Sequence, residues 1–300
     1  STGGVVPDGA DAVVPIEVAA VSGETVRIAG AVAAGDHVRQ RGGDVGKGEP
    51  VVPAGTRLGA TQLGALAAAG VACVPCVRRP RVAVLATGSE LVRPGAELGP
   101  GQVYEANALM LAAALAATGA DVERMPAVAD DEGSHRAALE RGLAFDVLVT
   151  SGGVSVGPHD LVRGIAADLG VEEVFWRVAV KPGKPVAFGV RGRTLVFGLP
   201  GNPVSSLVGC ELLVKPALRA LQGLADRLPR YESARLASPL RRNPSRDELV
   251  RARVSGGAVE PLSGQESHMI ARAAAADALV HLARGEGTLD AGSTVSYIRI

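Results

Sequence analysis

Asp146-Val-Leu-Val-Thr-Ser-Gly-Gly-Val-Ser-Val-Gly-Pro-His-Asp160 is the stretch on which the fold turns. Its apolar and β-branched residues run straight into Ser151, Gly152 and Gly153, and Gly157-Pro158 precede a helical pattern that begins near Asp160. A buried strand that ends in a glycine turn and opens a helix is how a parallel α/β sheet presents a ligand site. Glycines let backbone N–H groups approach an anion, and the N-terminus of the next helix adds partial positive charge. Two glycines in such a loop are also common for steric reasons alone. Three other stretches add weight, because a parallel sheet would carry them to the same rim: Thr87-Gly-Ser-Glu90, Lys181-Pro-Gly-Lys184 and Leu199-Pro-Gly-Asn-Pro203.

The neighbouring sequence repeats the pattern. Arg81 to Gly88 reads as a second buried strand ending in glycine. Asn107 is suited to N-cap a helix over 108–118, which Gly119 ends. A strand over 122–128, a helix over 132–141, a helix from Asp160 to Leu169 and a strand from Val174 through Val180 to Lys181 follow. Val186–Val190 and Thr194–Phe197 form a hairpin across Arg191-Gly-Arg193. Asn202 then caps a long helix with Pro203 at its first position, where the missing N–H is harmless. The alternation through 81–222 predicts an α/β fold, a mostly parallel sheet in a three-layer core with right-handed crossovers.

The flanks read differently. Residues 1–37 are predicted as a partial β-rich domain and 38–77 as an extended arm, in which 58–69 is helix-like and ends at Gly70. The α/β domain spans 78–224. Short alternating runs over 231–236, 249–254, 258–262, 279–282 and 294–300 predict a small β-barrel-like domain at 228–300.

Composition narrows the function. The chain has 300 residues, 47% of them hydrophobic, and its charges balance to zero. That describes a globular, enzyme-like chain without the basic field that nucleic acid requires. No apolar run approaches the roughly 18 residues of a membrane span. Three cysteines fit a reducing, cytoplasmic setting better than a disulfide scaffold. Cys73-Val-Pro-Cys76 has no second pair or histidines at metal-ligand spacing, so it reads as two ordinary small residues.

Glu90, Asp130, Asp131 and Asp160 all fall at predicted strand ends on the ligand-facing edge. Carboxylates beside an anion-binding loop suit Mg²⁺, which takes oxygen ligands together with phosphate oxygens. Asp130 and Asp160 would serve equally as caps of the helices that follow them. Lys181 and Lys184 flank a rigid Pro-Gly, which holds two cations near one point and suits a phosphate or other oxyanion, or else leaves a solvated pair at a strand end. His268 and Ser267 lack the partners of a hydrolase triad.

Set together, these segments resemble the molybdopterin molybdenumtransferases, which include the gephyrin E-domain. The matching stretches are Thr2-Gly with Gly9-Ala-Asp-Ala-Val-Val, Arg41-Gly-Gly-Asp44, Arg79 to Leu91, Pro100-Gly-Gln-Val-Tyr-Glu-Ala-Asn107, Ser151 to Gly157, Lys181-Pro-Gly-Lys-Pro185 and Leu199-Pro-Gly-Asn-Pro203, in order along essentially the whole chain. The resemblance implies insertion of molybdenum from molybdate into adenylylated molybdopterin, with release of AMP and assistance from Mg²⁺. It carries Thr2, Asp44, Glu90, Asp130 and Asp160 over as active-site residues, with Glu90, Asp130 and Asp160 as metal ligands. It implies pterin or oxyanion contacts at Ser151, Gly152, Gly153, Ser155, Lys181, Lys184, Pro200, Asn202, Pro203, Arg251 and Ser267. It also implies a homodimer. A non-catalytic pterin-binding scaffold and a molybdopterin adenylyltransferase are the alternatives, and the flanking domains favour the transferase. The chain departs from the family pattern at Ser89, where Asp is common, and at Gly43, where Glu is common. Family members carry a Met-Asp-Gly-Tyr-Ala-like segment in an N-terminal region, and nothing in these 300 residues matches it, so residues 1–37 are expected to lack partner strands.

Overall fold

The computed structural model describes residues 3–154 and 161–300 and divides into two compact units, 1–74 and 75–300. In the first unit, strands β1 (Ala19–Ser22) and β2 (Thr25–Ile28) form an antiparallel hairpin, and helix α1 (Ala60–Ala68) follows. None of the described residues of this unit is buried, and Val5, Ile16 and Val21 stand open to solvent.

The second unit holds the predicted α/β core. Its strands are β3 (Arg81–Ala86), β4 (Asp121–Arg124), β5 (Val147–Ser151), β6 (Glu172–Trp176), β7 (Val180–Lys181), β8 (Ala187–Arg191) and β9 (Thr194–Leu199). Six of them form one sheet in the order β4-β3-β5-β9-β8-β6, in which β4, β3, β5 and β9 run parallel. The predicted hairpin is β8–β9.

Strand β3 shows why three layers form. Val82, Val84 and Ala86 point into a core with Leu111 and Leu115 of α2 (Asn107–Ala116), while Ala83 and Leu85 point into another. The opposite core takes Leu139 of α3 (Glu132–Gly142) and Val162 and Ile165 of α4 (Leu161–Asp168). A strand buried on both faces must be apolar at every position, and all of β3 except Arg81 is buried.

The sequence reading of one continuous strand from Val174 to Lys181 does not hold. Arg177 adopts a left-handed φ of 75°, which ends β6 at Trp176 and turns the chain. β6 stays in the core sheet against β8, while β7 leaves it and pairs in parallel with the C-terminal domain. That domain contains β10 (Tyr231–Leu236), β11 (Asp247–Ser255), β12 (Ala258–Pro261), β13 (Ala278–Leu282) and β14 (Thr294–Arg299). They run β12-β10-β14-β13-β11, and β11 pairs back onto β12 to close a five-stranded barrel. Closure removes the free strand edges a small sheet would otherwise expose. Val250, Ala252, Val280 and Tyr297 fill its interior.

The helix begun by Leu199-Pro-Gly-Asn-Pro203 is built as α5 (Pro203–Gly209), a π-helical turn over Cys210–Val214, and α6 (Lys215–Leu221). Val208 and Leu212 pack with Leu249, Leu279 and Ile298 of the barrel, so this helix bridges the two domains of the second unit.

Candidate functional site

The C-terminal ends of β3, β5 and β9 lie side by side, and the loops leaving them enclose a cleft of about 680 Å³. Backbone bonds fix their spacing: Thr87 N–H donates to Ser151 O and Gly152 N–H to Leu199 O, each at 3.0 Å. Gly152 has φ +104°, and a Cβ there would sit 2.5 Å from Thr87 O. At Gly153, with φ +64°, a Cβ would meet the Val162 Cγ2 methyl of α4 at 2.6 Å. Close approach of the neighbouring strand end therefore requires Gly152, while the backbone turn and the packing of α4 favour glycine at 153.

Ser151 is buried below the rim. Its hydroxyl contacts Ser206 Oγ at 3.0 Å and accepts from Asn107 Nδ2 at 2.9 Å. Asn107 Nδ2 also donates to Gly201 O at 2.6 Å, tying α2 to the Pro200-Gly201-Asn202 turn. Asn107 is thus the first residue of α2 and not its cap; the buried Glu105 carboxylate accepts from Ala108 N–H at 2.6 Å in that place. The reading of Asn107 as a cap missed this cross-link, because nothing in local sequence shows a side chain reaching residue 201. Two polar atoms on the cleft residues, the Thr87 hydroxyl Oγ1 and the Asn107 amide Oδ1, are buried without a hydrogen-bond partner among the described residues. Buried polar atoms are ordinarily paired, so these two are candidate contacts for a ligand's hydrogen-bonding groups, the amide oxygen as an acceptor and the hydroxyl in either role.

Asp130 and Glu90 both line the cleft. Asp130 Oδ2 accepts from Ser89 N–H at 3.0 Å, and Ser89 Oγ accepts from Asp130 N–H at 2.9 Å. The cap of α3 is Asp131, whose Oδ1 accepts from Ser134 N–H, a bond that holds its carboxyl below the ordinary range. Of the two readings of Asp130, helix cap or site carboxylate, the cap is therefore already taken by its neighbour. Glu90 folds back over Gly88, whose Cβ would fall 2.5 Å from its carboxylate oxygen. Among the described residues no group of three or more His, Cys, Asp or Glu is placed to hold a metal. Glu90 and Asp130 are two carboxylates on one cleft, a donor set that fits Mg²⁺ only in its usual mode, with phosphate oxygens and water as the other ligands.

Asn202 and Pro203 stand at the start of α5 as predicted, although the Asn202 side chain makes no capping bond. Gly183 of the Lys181-Pro-Gly-Lys184 turn lies against Ser205 of α5, which brings the turn to this side of the helix. The Lys181–Pro182 bond is cis. Lys181 Nζ is paired with Glu248 Oε1 of β11 at 2.7 Å, and Lys184 is exposed.

Arg251 is placed differently from a rim cation. Only 1% exposed, it points four guanidinium N–H bonds at the loop 264–269: to Met269 O at 2.7 Å, to Gly264 O at 2.6 Å and Glu266 O at 3.2 Å, and to Gln265 Oε1 at 3.4 Å. Burial lowers its pKa, partly offset by the Glu266 carboxylate. Gln265 completes the clamp through Arg251 N–H at 3.0 Å and Arg251 O at 2.9 Å. The clamped loop then docks on α5, where Ser267 O accepts from Val204 N–H at 3.0 Å, and His268 and Ile270 reach the cleft. Ser267 thus arrives near Asn202 through its backbone, with Arg251 as the brace behind it.

Thr2, Ser155 and Asp160 lie outside the described residues. Asp44 belongs to the first unit, where it lines a cleft with Arg41, Lys47 and residues of α1. No helix among the described residues is long and apolar enough to cross a membrane.

Comparison with known proteins agrees with this architecture region by region. Residues 1–70 match the MoeA N-terminal region (domains I and II), 83–220 the probable molybdopterin binding domain, and 233–300 the MoeA C-terminal region (domain IV). Molybdopterin molybdenumtransferase 2 of Mycobacterium tuberculosis is 38% identical over 291 residues, covering 94% of this chain and 71% of the relative. The molybdopterin molybdenumtransferase of Haemophilus influenzae is 33% identical, covering 98% and 75%. A solved molybdopterin biosynthesis MoeA protein of Pyrococcus horikoshii superimposes with a TM-score of 0.80 at 32% identity, covering 98% of this chain and 73% of that one. With three consecutive regions in register and relatives matched over more than two thirds of their length, the chain belongs to the molybdopterin molybdenumtransferase family.

Proposed function

We propose that the cleft at the ends of β3, β5 and β9 binds adenylylated molybdopterin and that the chain inserts molybdenum from molybdate into it, releasing AMP in molybdenum cofactor biosynthesis. One observation carries the reading: the strand ends, the glycine pair and the two unpartnered buried polar atoms converge on one cleft inside the region that matches the molybdopterin binding domain. Asn107 Oδ1 accepts from an N–H of the pterin, and the Thr87 hydroxyl bonds to it as donor or acceptor. The glycine turn that ends β5 suits close approach of its phosphate to the backbone at Gly153. Lys181 and Lys184 supply cations for the phosphate or for molybdate, and Ser267 approaches the same helix end from the barrel.

Glu90 and Asp130 are the carboxylates that would hold Mg²⁺, with Asp160 as the further family position. When bound, the ion neutralises charge on the phosphates of the nucleotide. The chain's own residues hold the pyrophosphate linkage in place while AMP leaves, and the metal passes to the dithiolene sulfurs of the pterin, so no protein cysteine takes part. Cys210 fits that division of labour: buried in the π-helical turn, its thiol is pushed up to about 12 by desolvation and is no nucleophile. A homodimer and a cytoplasmic setting belong to the same proposal.

Glu90→Gln tests it. The carboxylate is exposed and contributes little to the core, so the variant should melt with the wild type while its molybdate-dependent AMP release falls by more than roughly tenfold. Unchanged turnover at saturating Mg²⁺ would remove Glu90 from the site.

A further inference from the structure

The cation at the tip of β7 is already occupied. Lys181 Nζ lies 2.7 Å from Glu248 Oε1, and that oxygen also faces Asn243 Nδ2 at 3.3 Å. The pairing is built in by the backbone: β7 and β11 run parallel with Lys181 opposite Glu248 and Val180 opposite Asp247, and Asp247 N–H donates to Ala179 O at 3.0 Å. The two ends of the ion pair are unequal. Glu248 is only 14% exposed and held in a barrel strand, whereas Lys181 is 53% exposed at the mouth of a turn. A pair with one end that open to water is worth little net stability, so it exchanges readily and is a poor structural lock. It is nonetheless a full neutralising charge at contact distance from the lysine.

We infer that Glu248 is a specificity-determining counter-anion for Lys181. The lysine swings from the Glu248 carboxylate to an incoming oxyanion, and the carboxylate it leaves repels that anion. Only an oxyanion with more charge to offer than one carboxylate, such as a dianion, displaces the internal partner. The inference rests on the proposed reading of Lys181 as an anion-binding residue and adds to it a residue on the barrel that sets how tightly the anion is held.

The test is calorimetric titration of inorganic molybdate into the full chain and into Glu248→Gln, Lys181→Met and the double variant, at fixed ionic strength. Glu248→Gln keeps the shape of the side chain and should tighten molybdate binding by roughly fivefold, the upper end of what an exposed ion pair is worth. Lys181→Met should weaken it, and the gain from Glu248→Gln should shrink when Lys181 is absent. Should the Gln variant melt early, Glu248→Asp draws the carboxylate back by one methylene and should tighten binding in the same direction by less. If Lys181→Met weakens binding but Glu248→Gln weakens it too or leaves it unchanged, the counter-anion role is wrong and Lys181 still belongs to the site. If Lys181→Met leaves molybdate binding unchanged, the reading of Lys181 itself fails and takes the inference with it.

Discussion

Gly152 shows how much of the site is decided by single atoms. Its φ of +104° disfavours any L side chain, and an added Cβ would strike Thr87 O at 2.5 Å, a backbone atom of β3's own exit loop. Gly152→Ala is expected to cost roughly 1–3 kcal/mol of stability, the usual range for a strained backbone position, and to abolish molybdopterin binding. Thermal melting with pterin fluorescence titration checks both; wild-type affinity in that variant would mean the strand ends do not form the pocket. At the opposite end of β5, Asp146 accepts two 2.6 Å bonds from Arg78 and one of 2.8 Å from Arg81 N–H. The Arg78 guanidinium leads the causes that lower its carboxyl to about 2. A carboxyl depressed on folding stabilises above its unfolded pKa, and that contribution fades as pH falls from about 4 toward about 2. Arg78→Ala should remove most of this contribution, lowering the melting temperature at neutral pH and flattening its fall between about pH 4 and about pH 2, with the cleft left intact; superimposable pH–melting profiles would contradict it. The residue scale is also where sequence reading was weakest. Asp130 and Asp131 are adjacent acids, and only the structure shows Asp131 bonded to Ser134 N–H and Asp130 turned to Ser89. Asn107 reads as a helix cap and Glu105 carries no assignment for the same reason, since a bond to residue 201 leaves no trace in local periodicity.

Elements were far more legible. Strand β3, helix α3, the β8–β9 hairpin and the five barrel strands follow from apolar runs and from glycines at their ends, signals that survive because burial acts on many residues at once. The run from Val174 to Lys181 misled because apolar residues stand on both sides of Arg177, which divides it between two sheets. A left-handed arginine is not written in the hydrophobic pattern. The loop 264–269 is the other element that only coordinates reveal, because its order depends on a buried guanidinium from a distant strand. Arg251→Lys retains the charge and loses the fork that reaches three carbonyls and Gln265. Stranded buried acceptors cost about 1–3 kcal/mol, so the variant should melt several degrees lower, and amide exchange at 264–269 should accelerate selectively. A wild-type melting temperature with weakened molybdate binding would instead make Arg251 a direct ligand of the anion.

For the whole molecule, the second unit gathers residues far apart in sequence around one rim: Glu90 after β3, Ser151–Gly153 at the end of β5, Asn202 before α5 and His268 from the barrel. The order of strands, legible from alternating β and α patterns, places the first three there; the barrel's share depends on β7 crossing to β11 and on Ser267 meeting α5. The first unit, with no buried residue among those described, carries Asp44 and the stretch matched to the MoeA N-terminal region. The central claim concerns the reaction itself, and it is tested most directly by incubating the purified chain with adenylylated molybdopterin, Mg²⁺ and molybdate. AMP is followed by chromatography and molybdenum on the pterin by mass spectrometry. AMP release that depends on molybdate is expected, with a matching amount of metal-loaded pterin. Tight retention of the adenylylated pterin, with neither AMP nor metal-loaded product at any molybdate concentration, would contradict it and identify a pterin-binding scaffold.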